Sequence, residues 1–283
     1  MSKTLVIMAG GRSSRMKRSA AELNDQALMA QAQSVHKSLI PLGPSQTPLL
    51  SRLCLEADAA NIQEIIVVTG PENEAFLSWR TDFLNTYPSN VLNIAFAIQF
   101  PSKETLKPMG TADAVLQAME QYPQLQKQRF VIANGDNLYS ADALSLAAQH
   151  NLSDHALINY EAKALGYDDL RISAFALVSV DAHDRVIEIV EKPAVSLLNT
   201  FRDSNGYLRV SMNLCTVNGP SFYPALQACP FNALRGEKEL PEAFRIALKD
   251  DRSSVYSYLI HQALPDLTSA ADLSSFSSEH PGI

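Results

Sequence analysis

The sequence predicts an α/β fold, a mainly parallel sheet with helices on both faces, and three observations carry that prediction. Through the first half of the 283-residue chain, short apolar runs alternate with stretches whose apolar residues recur at spacings of three and four, the period of an amphipathic helix. Strand–helix–strand alternation of that kind builds a parallel sheet covered on both faces. The first apolar run, residues 5–9, stops at Gly10-Gly11 and opens into a loop carrying Arg12, Arg15, Lys17 and Arg18. Those four cations in seven residues reverse the local sign of a chain whose net charge is −7. After residue 150 the apolar runs follow one another without intervening helices, which implies an antiparallel or mixed extension of the same sheet.

In chain order, strands are expected at 5–9, 62–69, 91–99 and 130–133, with helices at 48–61, 72–84 and 111–121. Ligands of such sheets sit beyond the carboxyl ends of the strands. The glycine loop, the segment after Gln99 and Gly135-Asp136 should therefore converge on one rim. Residues 19–33, rich in Ala, Gln and Leu, have good helix propensity and read either as a surface helix or as a lid hanging from the glycine loop. Beyond residue 150, strands are expected at 155–160, 172–180, 185–190, 208–217 and 254–260, a turn at 181–184, and helices at 221–228 and 237–248. No repeat or low-complexity linker divides the chain. One continuous domain is expected over 1–273, its halves meeting near residue 150, with a frayed tail at 274–283.

Paired glycines let a backbone come close to a ligand and take up positive φ, and main-chain N–H groups backed by arginines suit a phosphate chain. A hydrophobic content of 46% with 19% charged residues is ordinary for a soluble globular protein. The acidic balance argues against nucleic acid or an anionic membrane as the main partner, and leaves room for a local basic pocket. Cys54, Cys215 and Cys229 are odd in number, widely spaced and without zinc-site spacing, which suits a reducing cytoplasm. The first apolar run falls far short of the roughly 20 residues that span a bilayer, and it lacks the flanks of a signal peptide. A soluble cytoplasmic protein is expected, with a homo-oligomer left open.

Gly10-Gly11 lacks the third glycine of G-x-G-x-x-G, and His36-Lys37-Ser38 lacks the glycines of a P-loop. No Ser/His/Asp or Cys/His arrangement stands out; His150 and His155 read as structural, as does His36. Six segments instead follow one another in a familiar order: Met8-Ala-Gly-Gly-Arg-Ser-Ser-Arg-Met16, Lys37-Ser-Leu-Ile-Pro-Leu42, Gly110-Thr-Ala112, Asn134-Gly-Asp136, Glu191-Lys-Pro193 and Pro265-Asp-Leu-Thr-Ser-Ala-Ala-Asp-Leu273. Each is short and weak alone. Together, across residues 5–273, the chain resembles the sugar-phosphate nucleotidyltransferase (NDP-sugar pyrophosphorylase) family.

The resemblance implies a three-layer, Rossmann-like mixed sheet of the nucleotide-diphospho-sugar transferase type, related to the GT-A glycosyltransferases. It implies a Mg²⁺-dependent reaction in which a sugar 1-phosphate attacks the α-phosphorus of an NTP in line and pyrophosphate leaves. Ala9, Gly10 and Gly11 would cradle the nucleotide with backbone amides. Arg15 would clamp the β- and γ-phosphates, assisted by Arg12, and Lys37 would sit between the α-phosphate and the attacking phosphate. Lys17 and Arg18 read as solvated surface charge. Gln99 would recognise the base, with Gly110 and Thr111 beside it, although the loop 100–109 is longer than the family's. Asp136 and Asp266 would ligate Mg²⁺ as hard oxygen donors. Glu191, Lys192, Asn213 and the N–H of Ala176 would contact the sugar phosphate. The chain departs from the family pattern at His36, Ala176 and Ser269.

A phosphate monoester has its second pKa near about 6 and is largely the dianion at neutral pH, so it needs no general base. The absence of a catalytic triad fits that chemistry. Two rivals remain: a non-catalytic NDP-sugar-binding regulator of the same fold, and a GT-A-like glycosyltransferase. The second would need a D-x-D metal motif, whereas Asp136 is followed by Asn137-Leu138. Neither the base nor the acceptor, a sugar or a non-sugar phosphate, can be read from these residues.

Overall fold

The computed structural model describes residues 2–11, 13–22, 26–88, 92–102, 107–152, 154–232, 236–250, 254–267, 269–270 and 272–273. The strands are β1 (Thr4–Met8), β2 (Pro41–Leu42), β3 (Thr47–Pro48), β4 (Glu64–Thr69), β5 (Asn93–Ile98), β6 (Arg129–Asn134), β7 (His155–Glu161), β8 (Ala176–Val180), β9 (Val186–Glu191), β10 (Arg209–Asn218) and β11 (Val255–Ile260). The helices are α1 (Ser14–Ser19), α2 (Gln26–Ser34), α3 (Leu49–Ala59), α4 (Glu74–Thr86), α5 (Thr111–Gln121) and α6 (Ala141–Gln149), then α7 (Ala162–Leu165), α8 (Asp169–Ile172), α9 (Gly219–Ala228) and α10 (Leu240–Ala247).

Among the described residues, nine strands form one sheet in the order β11-β7-β10-β6-β1-β4-β5, with β8 on β10 and β9 on β8. β1 is parallel to both β4 and β6, and β4 to β5. These strands read as near-continuous apolar runs because both faces are covered. Met8 and Val67 lie in separate apolar layers on opposite faces of the sheet. β10 then runs antiparallel to β6 and to β7, while β11 is parallel to β7. The mixed extension expected after residue 150 is therefore present.

One handover organises the site. β6 pairs with the second half of β10, at Cys215–Asn218, and ends at Asn134. β8 takes over that edge of β10 at Arg209–Ser211. Between the two, the β10–β7 register shifts from Ser211 to Leu214, and Asn213 adopts a left-handed φ of 59°. A bulge there re-aims a side chain, and asparagine tolerates the conformation better than most residues.

The free edge of β5 is covered by side chains from α5. Gln121 donates to the Ile98 carbonyl at 2.8 Å and accepts from its N–H at 2.9 Å. Gln117 does the same for Phe100, at 3.1 and 2.9 Å. Two glutamines four apart on one helix face thus satisfy backbone groups that an exposed edge would offer to another chain.

Two expectations need correction, and one helix was missed. Residues 19–33 do not form one helix: α1, a 3₁₀ turn at Ala20–Glu22 and α2 share the segment. Met16, Ala20 and Ala32 are buried in a third apolar cluster with Leu138, Leu267 and Leu273. The strand expected over 172–180 begins only at Ala176, because Ile172 closes α8, whose start Asp168 caps by accepting the Arg171 N–H at 2.7 Å. Helix α6 was not expected at all. Its signals were present: Ser140 accepts the Ala143 N–H, and Ala143, Leu144, Ala147 and Ala148 form its buried stripe. The turn at 181–184 links β8 to β9, with Asp184 at φ 59°. The tail 274–283 lies outside the described residues.

Candidate active site

A cleft of about 500 Å³ opens at the carboxyl ends of β1, β5 and β6. Ala9, Gly10 and Gly11 line it after β1, Gln99 after β5, and Asn134 and Asp136 at and beyond the end of β6. Lys37, Gly110, Thr111 and Asn213 complete the predicted set found there. The three segments expected on one rim do converge.

The glycine turn works differently from its expectation. Neither Gly10 nor Gly11 has a positive φ; Ser13 takes the left-handed conformation instead, at 53°. What Gly10 provides is space, since a Cβ there would stand 2.9 Å from Gln99 Oε1. The Ala9 N–H donates to the Val68 carbonyl at 2.8 Å and continues the β1–β4 ladder. Among the described residues, the turn amides that remain for a ligand are therefore those of Gly10, Gly11 and Ser13. Arg12 lies outside the described residues, as does the side chain of Arg15, whose backbone belongs to α1.

Lys37 opens a 3₁₀ turn, Lys37–Leu39, that is tied to the glycine turn at two points. Its N–H donates to Ser13 Oγ at 3.2 Å, and His36 Nε2 lies 2.8 Å from the Gly11 carbonyl. His36 Nδ1 accepts the Ser38 N–H, so the ring proton sits on Nε2 and donates to Gly11. Burial lowers the His36 pKa below its ordinary value, against the raising effect of the Gly11 bond. A neutral imidazole packed on Phe76 at 5.0 Å thus fastens the two turns together, a role its position next to Lys37 did not disclose. The Lys37 ammonium contacts Asp136 Oδ2, with the two side chains only 18% and 20% exposed.

Gln99 is nearly buried, and its amide nitrogen donates to the Gly110 carbonyl and to Asp113 Oδ2, both at 2.9 Å. Gly110 has φ +98°, and a Cβ there would meet the Lys238 carbonyl at 2.5 Å. The Ala112 N–H donates to that same carbonyl at 3.0 Å, and the Leu240 N–H to Thr111 Oγ1 at 2.9 Å. The start of α5 is therefore clamped by the segment leading into α10. Glu237 and Lys107 also line the cleft and were not foreseen. No signal near Gly236-Glu237 says which strand end that segment folds over.

The sugar-side candidates divide. Asn213 reaches the cleft, its Nδ2 3.4 Å from Asn134 Oδ1. Ala176 pairs with Glu191 across β8 and β9 and with Ser211 of β10, but its side chain is buried. Glu191 lines a separate cleft with Glu239, Glu242 and Arg245. Lys192 is exposed, at φ 48°, its N–H donating to the Phe175 carbonyl at 3.1 Å. His150 and His155 are buried in the core, where His155 Nδ1 accepts the Asn218 N–H at 3.2 Å. The three cysteines are buried and free.

Asp266 lies beside Asp136 on bridged backbones: the Leu267 N–H donates to the Asp136 carbonyl at 2.8 Å and the Leu138 N–H to that of Pro265 at 3.0 Å. Its Oδ1 accepts from Asn137 Nδ2 at 3.2 Å, and its Oδ2 lies 3.4 Å from Arg171. Among the described residues, no cluster of three or more His, Cys, Asp or Glu side chains is placed to hold a metal. Asp136, a hard oxygen donor on the cleft wall, fits a divalent cation that shares its other positions with phosphates. Both oxygens of Asp266 are already engaged.

The sequence pattern of the nucleotidyl transferase family matches residues 4–208. The chain belongs to the nucleotidyl transferase family. Glucose-1-phosphate adenylyltransferases share segments with this family member: the chloroplastic/amyloplastic small subunit of Triticum aestivum is 34% identical over 30% of this chain. The enzyme of Dechloromonas aromatica is 34% identical over 32% of it, and that of Methylobacillus flagellatus 32% over 41%. The matched segments span 17%, 20% and 26% of those relatives' own lengths. Crystal structures of UDP-glucose pyrophosphorylase, complexed with UDP-glucose and apo, superpose with TM-scores of 0.71 at 16% and 15% identity, covering 99% of this chain and 98% of theirs. That likeness establishes the nucleotidyl transferase fold. Among the described residues, no helix is long and apolar enough to cross a membrane.

Proposed function

We propose that this nucleotidyl transferase condenses an NTP with a sugar 1-phosphate, giving an NDP-sugar and pyrophosphate. The observation that carries the proposal is the cleft wall where the Lys37 ammonium meets Asp136 beside the Gly10-Gly11 turn. Two anions must be held in line there, and the attacking phosphate is already a nucleophile. Lys37 would neutralise charge shared between the α-phosphate and the attacking oxygen, from a position held by Ser13 and His36. Gly10 and Gly11 would offer N–H groups to the triphosphate, with Arg15 and Arg12 as its clamps. Gln99, Gly110 and Thr111 would border the base; because the Gln99 amide nitrogen is engaged, its Oε1 is the atom left to a ligand. Asn213 would face the sugar, and Ala176 of β8, Glu191 at the end of β9 and Lys192 just after it remain the other proposed sugar-phosphate contacts.

The cation we propose is Mg²⁺, held by Asp136, with Asp266 joining only by exchanging a present partner. When bound, it would offset charge on the phosphate oxygens. We also propose that both halves act as one unit over 1–273, in the cytoplasm, without nucleic-acid or membrane partners. Pyrophosphate release across a panel of four NTPs and several sugar 1-phosphates tests the proposal; turnover with one pair supports it. The engaged oxygens of Asp266 favour a second possibility, a non-catalytic regulator. No turnover with any pair, together with tight NDP-sugar binding, would establish that one.

A further inference from the structure

A line of three amides crosses from the β10 bulge to Asp266, and the proposed reaction leaves it unexplained. Asn213 Nδ2 is 3.4 Å from Asn134 Oδ1, Asn134 Nδ2 is 3.1 Å from Asn137 Oδ1, and Asn137 Nδ2 is 3.2 Å from Asp266 Oδ1. Its direction is set at the far end. A carboxylate can only accept, so Asn137 must turn its NH₂ toward Asp266 and its carbonyl back toward Asn134. Asn134 must then donate to Asn137 and present its own carbonyl to Asn213.

The Tyr139 hydroxyl braces the middle of the line. It donates to the Met212 carbonyl at 2.6 Å, accepts the Asn134 N–H at 3.2 Å and lies 3.3 Å from Asn137 Oδ1. Tyr139 and Asn137 are 0% and 1% exposed, so water does not compete with these bonds. Asn213, held at positive φ in the bulge, is left with its carbonyl and one N–H in fixed places on the cleft wall. Without the line, the two ends of its amide would be interchangeable.

We propose that Asn134 and Asn137 are positioning residues that fix the direction of the Asn213 amide toward the sugar phosphate and couple it to Asp266. This rests on the nucleotidyltransferase function proposed above. Asn137 does not line the cleft, so its substitution removes no direct contact with the substrate. Asn137→Leu breaks the links on both sides, whereas Asn137→Gln keeps an amide there, with a carbonyl for Asn134 and an NH₂ for Asp266.

With glucose 1-phosphate and the NTP that wild type turns over best, Asn137→Leu should raise the glucose 1-phosphate KM by about tenfold and leave the NTP KM within about twofold. Asn137→Gln should hold the glucose 1-phosphate KM within about threefold of wild type. Equal rises in both KM values, or identical behaviour of the two variants, would overturn the proposal. A crystal structure of Asn137→Leu decides independently of turnover: the Asn213 side chain should leave Asn134, and an unmoved Asn213 would overturn it. If wild type releases no pyrophosphate, the proposed function fails while that structure still decides the line. Should Asn137→Leu not fold, Asn134→Ala breaks the same line and is read by the same structure and KM split.

Discussion

On one side of the cleft, β1, β5 and β6 run parallel and each delivers its loop to the same rim; on the other, β8, β9 and β10 run antiparallel and only Asn213 arrives there. Parallel strands all end at one edge, so every loop after a strand is a neighbour of the others whatever its sequence. Antiparallel strands alternate, and which residue reaches the cleft depends on where pairing passes from one partner to the next. The Asn213 bulge sits at that handover from β6 to β8. The parallel rim is thus a consequence of topology, and the Asn213 wall of register.

The comparison is tested most severely at Lys37. Lys37→Ala should lower turnover by about 10²–10³, as expected for losing one preorganised charge partner in the transition state. Its melting temperature should stay near that of wild type. A large fall in melting temperature with turnover retained would make the Lys37–Asp136 pair structural and leave the parallel rim without a catalytic group.

On the antiparallel side, His155 provides a stability test far from the cleft. Burial lowers its pKa from the ordinary 6.5 to about 4. The unfolded chain therefore binds the proton first, and stability is full above pH 6.5 and lost as pH falls toward 4. The difference amounts to about 3 kcal/mol. Melting curves across that window should show the loss, and His155→Gln should flatten it; parallel curves for the two proteins would contradict the assignment.

Gly110 joins the two sides, because α5 begins in the parallel half and Lys238 precedes α10. Gly110→Ala combines a strained φ of +98° with a collision against the Lys238 carbonyl. A loss of about 1–3 kcal/mol is expected, read from denaturant midpoints, together with weaker nucleotide binding. Unchanged nucleotide binding in a destabilised variant would show that the clamp serves the fold alone. The smallest effect is expected at the β5 edge: Gln121→Ala should cost about 1 kcal/mol and raise the tendency to associate at high concentration, measured by light scattering.

Much of this architecture was legible in the sequence because the parallel strands are apolar on both faces and their helices carry a clear period. Helix α6 was missed although Ser140 and the stripe that follows it were present, because its small alanines make a weaker pattern than leucines would. The start of β8 was not legible: Ile172 is as apolar as the strand residues after it, and only the cap at Asp168 distinguishes the helix. Gly10-Gly11 announced a site without announcing how it works. Their value lies in the approach of Gln99, which comes from another strand end.

The residues of the glycine turn, Lys37 and Asp136 were determined by the sequence, since each follows its own strand or turn and the parallel order brings them together. Only the tertiary structure decided what each is bonded to. His36 holds the Gly11 carbonyl, Arg171 and Asn137 occupy Asp266, and a line of amides aims Asn213. The physical reason is that a hydrogen bond is set by distance and direction across elements far apart in the chain, and neither quantity is written in the spacing of residues along it.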